Sequence, residues 1–342
     1  MSRVNARLFA LPVAVALTWL VSIAAIAQNG ASAESTPTGT TMTGSTIEVP
    51  GPLGPLRGTM LAAALDAPMA LIVPGSGPTD RDGNNPLGVK ASTYRLLAEE
   101  LSRRGISSVR IDKRGMFGST RAISEADSVT IGDYAVDVRT WVTGIRAQTG
   151  ARCVWVLGHS EGGLVALAAA TQGAGICGLV LISSPGRPLG EILRAQLKGN
   201  PANAPVLGQA LDAIAALEAG KSVDATKLDP ALLPLFRPSV QGFMRDAMAY
   251  DPADLIGRYA GPVLILHGRR DLQIPITDAE RLEAASVDAE LVLLGDVNHV
   301  LKKVTSDDRA ANFATYGDAT LPLAPGVADA IAGFIGRHAR AR

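Results

Sequence analysis

Aromatic side chains are scarce, at 4% of this 342-residue chain. No platform for stacking bases or sugar rings is visible. The charge pattern offers no substitute, because lysine plus arginine (32) equals aspartate plus glutamate (32). A neutral balance excludes the basic field that would mark a nucleic-acid or acidic-membrane partner. Histidines number 4 and cysteines 2, and no clustered ligand set suggests a metal. No metal or organic cofactor is expected. Apolar residues, by contrast, make up 47%, enough to bury the core of one large α/β domain or two modest ones.

The first residues read as an export signal. Arg3 and Arg7 precede an uncharged run from Leu8 to Ala27, and Ala25 with Ala27, or Ala31 with Ala33, suits a peptidase site. Residues 1–27 are therefore expected to be a signal peptide, and the protein to be exported to the periplasm or beyond. The competing reading is an uncleaved anchor, since the run is about long enough to span a bilayer. No cysteine stands directly after it, which argues against a lipid-anchored form. Residues 28–45, rich in Ser, Thr, Gly and Ala, read as a disordered linker. After cleavage no stable membrane association is expected. Export leaves two readings for Cys153 and Cys177, each opening an apolar run. One is a disulfide between neighbouring parallel strands, whose geometry is demanding; the other is two buried thiols.

The stretch from Val154 to Gly163 organises the remainder. An apolar strand leads into Gly158-His159-Ser160-Glu161-Gly162, and the small residues from Leu164 to Thr171 suit a helix. A nucleophile elbow needs this order, with glycines where backbone must approach backbone. Ser160 is the expected nucleophile. Upstream, Ala70–Val73 opens into Pro74-Gly75-Ser76-Gly77-Pro78. A glycine-rich loop after a strand suits an oxyanion hole, with Ser76 and Glu161 as backbone N–H donors and Gly75 and Gly77 against the substrate. The loop lacks the ending of a P-loop and the spacing of a dinucleotide fingerprint.

Strands alternating with helices predict a largely parallel sheet covered on both faces. Strands are expected near 47–49, 56–65, 109–112, 179–183, 262–268 and 289–294, and helices over 94–104, 131–149 and 327–338. Tyr134 and Trp141 fall on the core stripe of the second helix. Asp271 and His299 each follow a strand, giving the chain order Ser160, Asp271, His299 found in hydrolases built this way. Of the other histidines, His159 lies inside the elbow, His267 ends an apolar strand as a packing residue, and His338 sits solvated among arginines. His299 is left as the general base.

From 186 to 261 the pattern turns helical, with proline-rich turns and no convincing strand. An insert of that length reads as a cap over the active site. Leu232, Leu233, Leu235, Phe236, Phe243 and Met244 either line an acyl pocket or hold the cap together. The folded core is then 46–185 plus 262–342.

Gly158-His159-Ser160-Glu161-Gly162-Gly163, His267-Gly268-Arg269-Arg270-Asp271, Asn298-His299 and Asp112-Lys113-Arg114-Gly115 together resemble the α/β-hydrolase fold in its serine aminopeptidase-like branch. Within it, the segment from Pro74 to Gly83 and Asn298-His299-Val300-Leu301-Lys302 resemble bacterial carboxylesterases of the EstD type. Pro74 departs from the pattern, standing where many relatives carry the His of a His-Gly pair. The resemblance implies a serine esterase acting on a small-molecule ester. A peptidase or amidase would share the triad and need an acidic pocket, for which Glu161, Asp80 and Asp82 are candidates. A thioesterase and a non-catalytic binding protein are the remaining alternatives. Arg81 and Arg114 either contact substrate or brace loops against nearby carboxylates.

Overall fold

Continuous apolar runs become strands buried on both faces, as a parallel sheet between two helical layers requires. The computed structural model describes residues 42–340. The expected signal segment and residues 28–41 of the linker lie outside them. The last linker residue, Ser45, already belongs to a strand, because its backbone pairs with Met60.

In chain order the elements are β1 (Ser45–Val49), β2 (Leu56–Leu61), β3 (Met69–Val73), α1 (Thr93–Arg103), β4 (Ser107–Ile111), α2 (Ile131–Thr149), β5 (Val154–His159), α3 (Glu161–Ala170) and β6 (Ile176–Ile182). Helices α4 (Leu189–Gly199), α5 (Leu207–Glu218), α6 (Leu233–Phe236), α7 (Pro238–Met248) and α8 (Pro252–Gly257) follow. The chain closes with β7 (Val263–Gly268), α9 (Ile276–Ala284), β8 (Ala289–Leu294), α10 (Arg309–Ala314) and α11 (Val327–Arg340). The strands form one eight-stranded sheet in the order β1-β2-β4-β3-β5-β6-β7-β8. β1 and β2 pair antiparallel, β2 also pairs antiparallel with β4, and the other pairings are parallel.

Alternation along each strand splits the core. Leu71, Val73 and Val156 face Val138, Trp141 and Val165 of α2 and α3. Ala70, Ile72, Trp155 and Leu157 face Leu97 and Leu101 of α1 and Ile331 and Phe334 of α11. Each fully buried large apolar side chain contributes about 2 kcal/mol. Local signals set the helix ends: α2 starts at a Thr130–Asp133 capping box and stops at Gly150, at φ 74°. The chain runs from β3 to β4 on one side and from β4 across to β5 on the other. The loops after β3 and β5 therefore part at the carboxyl edge, where open α/β sheets hold ligands.

The helices between β6 and β7 rest on the α2/α3 layer. The Asp246 carboxylate of α7 accepts the Ile131 N–H at 2.7 Å, capping α2 from outside. Leu232, Leu235, Phe236, Phe243 and Met244 are buried in that layer's core. Leu233 is partly exposed. None of the six lines the cavity at Ser160, so of the two readings open for them the structure favours packing: the five buried ones hold the insert together and seat it on the layer.

Cys153 and Cys177 are joined, with Cα atoms 5.2 Å apart. The pairing register slips between Val154 and Trp155, leaving Cys177 as an extra residue between Ile176 and Gly178. A bulge re-aims its side chain, and this meets the geometric demand. The bond closes a sequence separation of 24 residues, which corresponds to about 3 kcal/mol of chain-entropy stabilisation. A Cys153→Ser/Cys177→Ser variant is expected to unfold several degrees lower in a thermal melt. An unchanged melting temperature would show that the bond contributes nothing.

Candidate active site

Ser160 occupies the turn between β5 and α3 at φ 57°, ψ −125°, a region that non-glycine residues avoid at a cost of roughly 1–3 kcal/mol. The turn is tight. A Cβ at Gly158 would strike the Gly162 carbonyl, and one at Gly162 would strike the Val73 carbonyl. The backbone is pinned by Ser160 N–H donating to the Ile182 carbonyl at 2.8 Å. Glu161 is the first residue of α3, so its N–H lies outside the helix ladder, at the positive end of the dipole.

Ser160 and His299 line one cavity of about 160 Å3. Gly75, Ser76, Val89, Tyr94, Gln273, Val300, Phe313 and Tyr316 are among the other residues that line it. No aspartate, glutamate, lysine or arginine is among the lining residues. Gly77, expected against the substrate, is not there either. It turns the loop at φ 69° and accepts the Thr79 N–H at 2.9 Å.

His299 Nδ1 donates to Asp271 Oδ2 at 2.8 Å. Asp271 is fully buried, and its Oδ1 accepts the N–H groups of Gln273 (2.8 Å) and Ile274 (2.9 Å). Burial alone would raise this carboxyl. The charge and hydrogen bond of His299, the charge of His267 and the Ile274 N–H outweigh it and hold the group below the usual range. With the proton on Nδ1, the lone pair of neutral His299 is on Nε2. His267 donates through Nε2 to the Ile274 carbonyl at 3.1 Å, tying down the loop that carries Asp271. His338 is not simply solvated: it lies 3.3 Å from Glu290 and against Phe334.

His159 links the two loops. Its Nε2 lies 2.8 Å from the His299 carbonyl, which only accepts, so Nε2 carries the proton. Nδ1 must then accept from Tyr94 Oη at 3.0 Å, and the same hydroxyl accepts the Gly75 N–H at 3.0 Å. Burial first, then the facing His299 ring, push the His159 imidazole down to about 3. It stays neutral.

The carboxylates proposed for an acidic pocket are used elsewhere. Asp80 Oδ1 accepts the N–H groups of Asp82 and Asn84 within its own loop. Asp82 pairs with Arg110. Glu161 points its side chain to Lys113, at 3.7 Å. Burial raises the Glu161 carboxyl and lowers the Lys113 ammonium, each partly offset by the other. Arg81 grips Asp112, and Arg114 grips Asp133 and Asp137, so both arginines brace loops. Among the described residues no group of three His, Cys, Asp or Glu is placed to hold a metal ion, and no helix is long and apolar enough to cross a membrane.

Tyr94, Gln273, Phe313 and Tyr316 went unread in the sequence. Tyr94 counts there only as the start of an amphipathic helix. Phe313 and Tyr316 follow the last strand, in a segment without strand periodicity, and only the fold brings them over the cavity.

Elbow, sheet order and acid–base pair together define an α/β-hydrolase. The chain belongs to the serine aminopeptidase S33 family, which it matches over residues 87–302. Among particular relatives, Esterase EstD of Thermotoga maritima is 26% identical over 243 residues, 68% of this chain and 54% of that protein. The chain thus spans about half the length of this curated relative. In fold it is similar to Est1E from Butyrivibrio proteoclasticus, at TM-score 0.53 and 16% identity, covering 87% of this chain and 100% of that one. The Pyrococcus furiosus esterase Pf2001 gives TM-score 0.56 at 16% identity, covering 90% and 95%. A puromycin-hydrolysing peptidase of Mycobacterium tuberculosis also gives 0.56, at 18% identity, covering 90% of this chain and 41% of that one.

Proposed function

We propose that the protein is a serine carboxylesterase that cleaves short-acyl esters through an acyl-enzyme. The observation that carries this reading is the small cavity at Ser160, free of fixed charge and served by the Asp271–His299 pair. Ser160 Oγ attacks the ester carbonyl while His299 Nε2 takes its proton, and Asp271 stabilises the imidazolium. The N–H groups of Glu161 and Ser76 receive the oxyanion, at about 3 kcal/mol per donor. Collapse expels the alcohol, which takes the proton from His299. Water, deprotonated by the same histidine, then releases the acid.

The charge-free lining disfavours the peptidase reading. A free amino terminus needs a carboxylate partner in the cavity, and Asp80, Asp82 and Glu161 are all engaged outside it. A coenzyme A thioester would want basic residues at the mouth, and the lining offers none. Export into an oxidising compartment accords with the Cys153–Cys177 bond.

The test is a panel of p-nitrophenyl esters from acetate to palmitate, beside aminoacyl p-nitroanilides, with Ser160→Ala as the blank. Acetate and butyrate esters are expected to outrun palmitate by on the order of 10-fold or more, because the longer chain exceeds the cavity. Faster cleavage of the anilides would transfer the assignment to a peptidase. Turnover that survives in Ser160→Ala would remove the mechanism.

A further inference from the structure

The sequence Asp112-Lys113-Arg114-Gly115 contributes one group that the mechanism above leaves unused. Lys113 is buried, with 5% of its surface exposed. Its ammonium donates to the Gly75 carbonyl at 2.7 Å, faces the Glu161 carboxylate at 3.7 Å and lies 5.2 Å from the centre of the Tyr134 ring. A buried ion pair is costly, and apolar side chains of the same volume often serve stability as well or better. Its position beside the nucleophile therefore calls for a functional account.

The account follows from the peptide plane. Gly75 and Ser76 share a trans peptide, as every described peptide bond is trans, so the Gly75 C=O and the Ser76 N–H point in opposite directions. Lys113 holds the carbonyl on the side away from the cavity, and it is not a lining residue. The Ser76 N–H must then point the other way, towards the cavity that Ser76 and Ser160 share. The plane is hemmed in on its other side too: the preceding Pro74–Gly75 peptide is held through its Gly75 N–H by Tyr94 Oη, and the glycine between the two planes lies against the elbow. A Cβ there would be 3.1 Å from Ser160 Cβ. A cation on the carbonyl also polarises the peptide and strengthens its N–H as a donor.

Resting on the esterase reading, we propose that Lys113 is a positioning residue of the oxyanion hole. It fixes and polarises the Gly75–Ser76 peptide through the Gly75 carbonyl, and it neutralises the Glu161 carboxylate beside the developing negative charge. Glu161 serves twice, with its N–H as a donor to the oxyanion and its side chain as the counter-ion that keeps Lys113 in place.

The test compares the parent with Lys113→Met/Glu161→Gln, which removes both charges and leaves no unpaired ion. Each is assayed on a short p-nitrophenyl ester and titrated with an aryl trifluoromethyl ketone, whose adduct with Ser160 places an oxyanion in the hole. The double variant is expected to lose on the order of 10- to 100-fold in kcat, with KM within about twofold. Its affinity for the ketone should fall by the same factor as kcat/KM. Lys113→Gln/Glu161→Gln keeps a neutral donor to Gly75, again with no unpaired ion, and should fall between the two; it carries the test if the first double variant melts below assay temperature. Unchanged kcat and ketone affinity in folded variants would overturn the proposal, as would equal losses in KM and ketone affinity, which mark general loosening. A parent with no Ser160-dependent turnover would instead remove the esterase reading, and this proposal with it.

Discussion

Replacing Asp271 by asparagine is expected to lower kcat by roughly 10^4-fold in a protein that still folds. The size follows from the hydrogen bonds around the side chain. Oδ1 accepts two backbone N–H groups, from Gln273 and Ile274, and Oδ2 accepts the proton on His299 Nδ1. Asparagine can keep the first two bonds only by leaving its carbonyl oxygen where Oδ1 stands. Its NH2 then faces His299 Nδ1, which must become an acceptor. The imidazole proton is driven to Nε2, the nitrogen that should take the Ser160 proton, and the base is lost. The imidazolium formed during attack also loses its anionic partner. Since the loop's backbone bonds survive, thermal stability should change far less than activity. The check is kcat on a short ester together with a thermal melt. A loss below tenfold in a folded variant would remove Asp271 from the mechanism and leave His299 without its orienting partner.

The fold was legible because its signals are local. Strands buried on both faces read as apolar runs, α2 carries its capping box and terminal glycine, and the elbow packs strand, turn and helix into ten residues. Ser160, Asp271 and His299 follow from that order and from the resemblance. The cavity was less legible, for two reasons. The apolar residues of the insert look alike whether they face a ligand or a neighbouring helix, and here Phe236 and Phe243 face helices. Conversely, Phe313 and Tyr316 reach the site from a stretch with no strand of its own, so no periodicity marks them. His159 lies inside the elbow and lines the same cavity as Ser160. Its partners Tyr94 and the His299 carbonyl are 65 and 140 residues distant in the chain, and no spacing rule joins them.

His159 should also make the protein acid-sensitive. The folded state holds its imidazole neutral, at about 3, whereas an unfolded histidine titrates near 6.5. Between these values the unfolded chain binds a proton that the folded one refuses, so stability rises with pH across the window. The contribution is complete above about pH 6.5 and is lost progressively as pH falls towards 3. From pH 7 to pH 4 the loss is about 3 kcal/mol from this residue. The groups around the ring act in known directions. His299 disfavours the charged form, Asp271 favours it, and Tyr94 needs Nδ1 unprotonated as its acceptor. His267, also lowered chiefly by burial, adds to the same slope. His159→Gln removes the titration while keeping a donor for the His299 carbonyl and an acceptor for Tyr94. The variant is expected to start less stable at pH 7, because its amide fits the two partners less well, and then to lose less on acidification. Denaturant melts of both proteins at several pH values between 4 and 7 give the comparison directly. Parallel curves would mean that His159 takes up its proton in the folded state, and the bridge from Gly75 to His299 would then not hold in the form described.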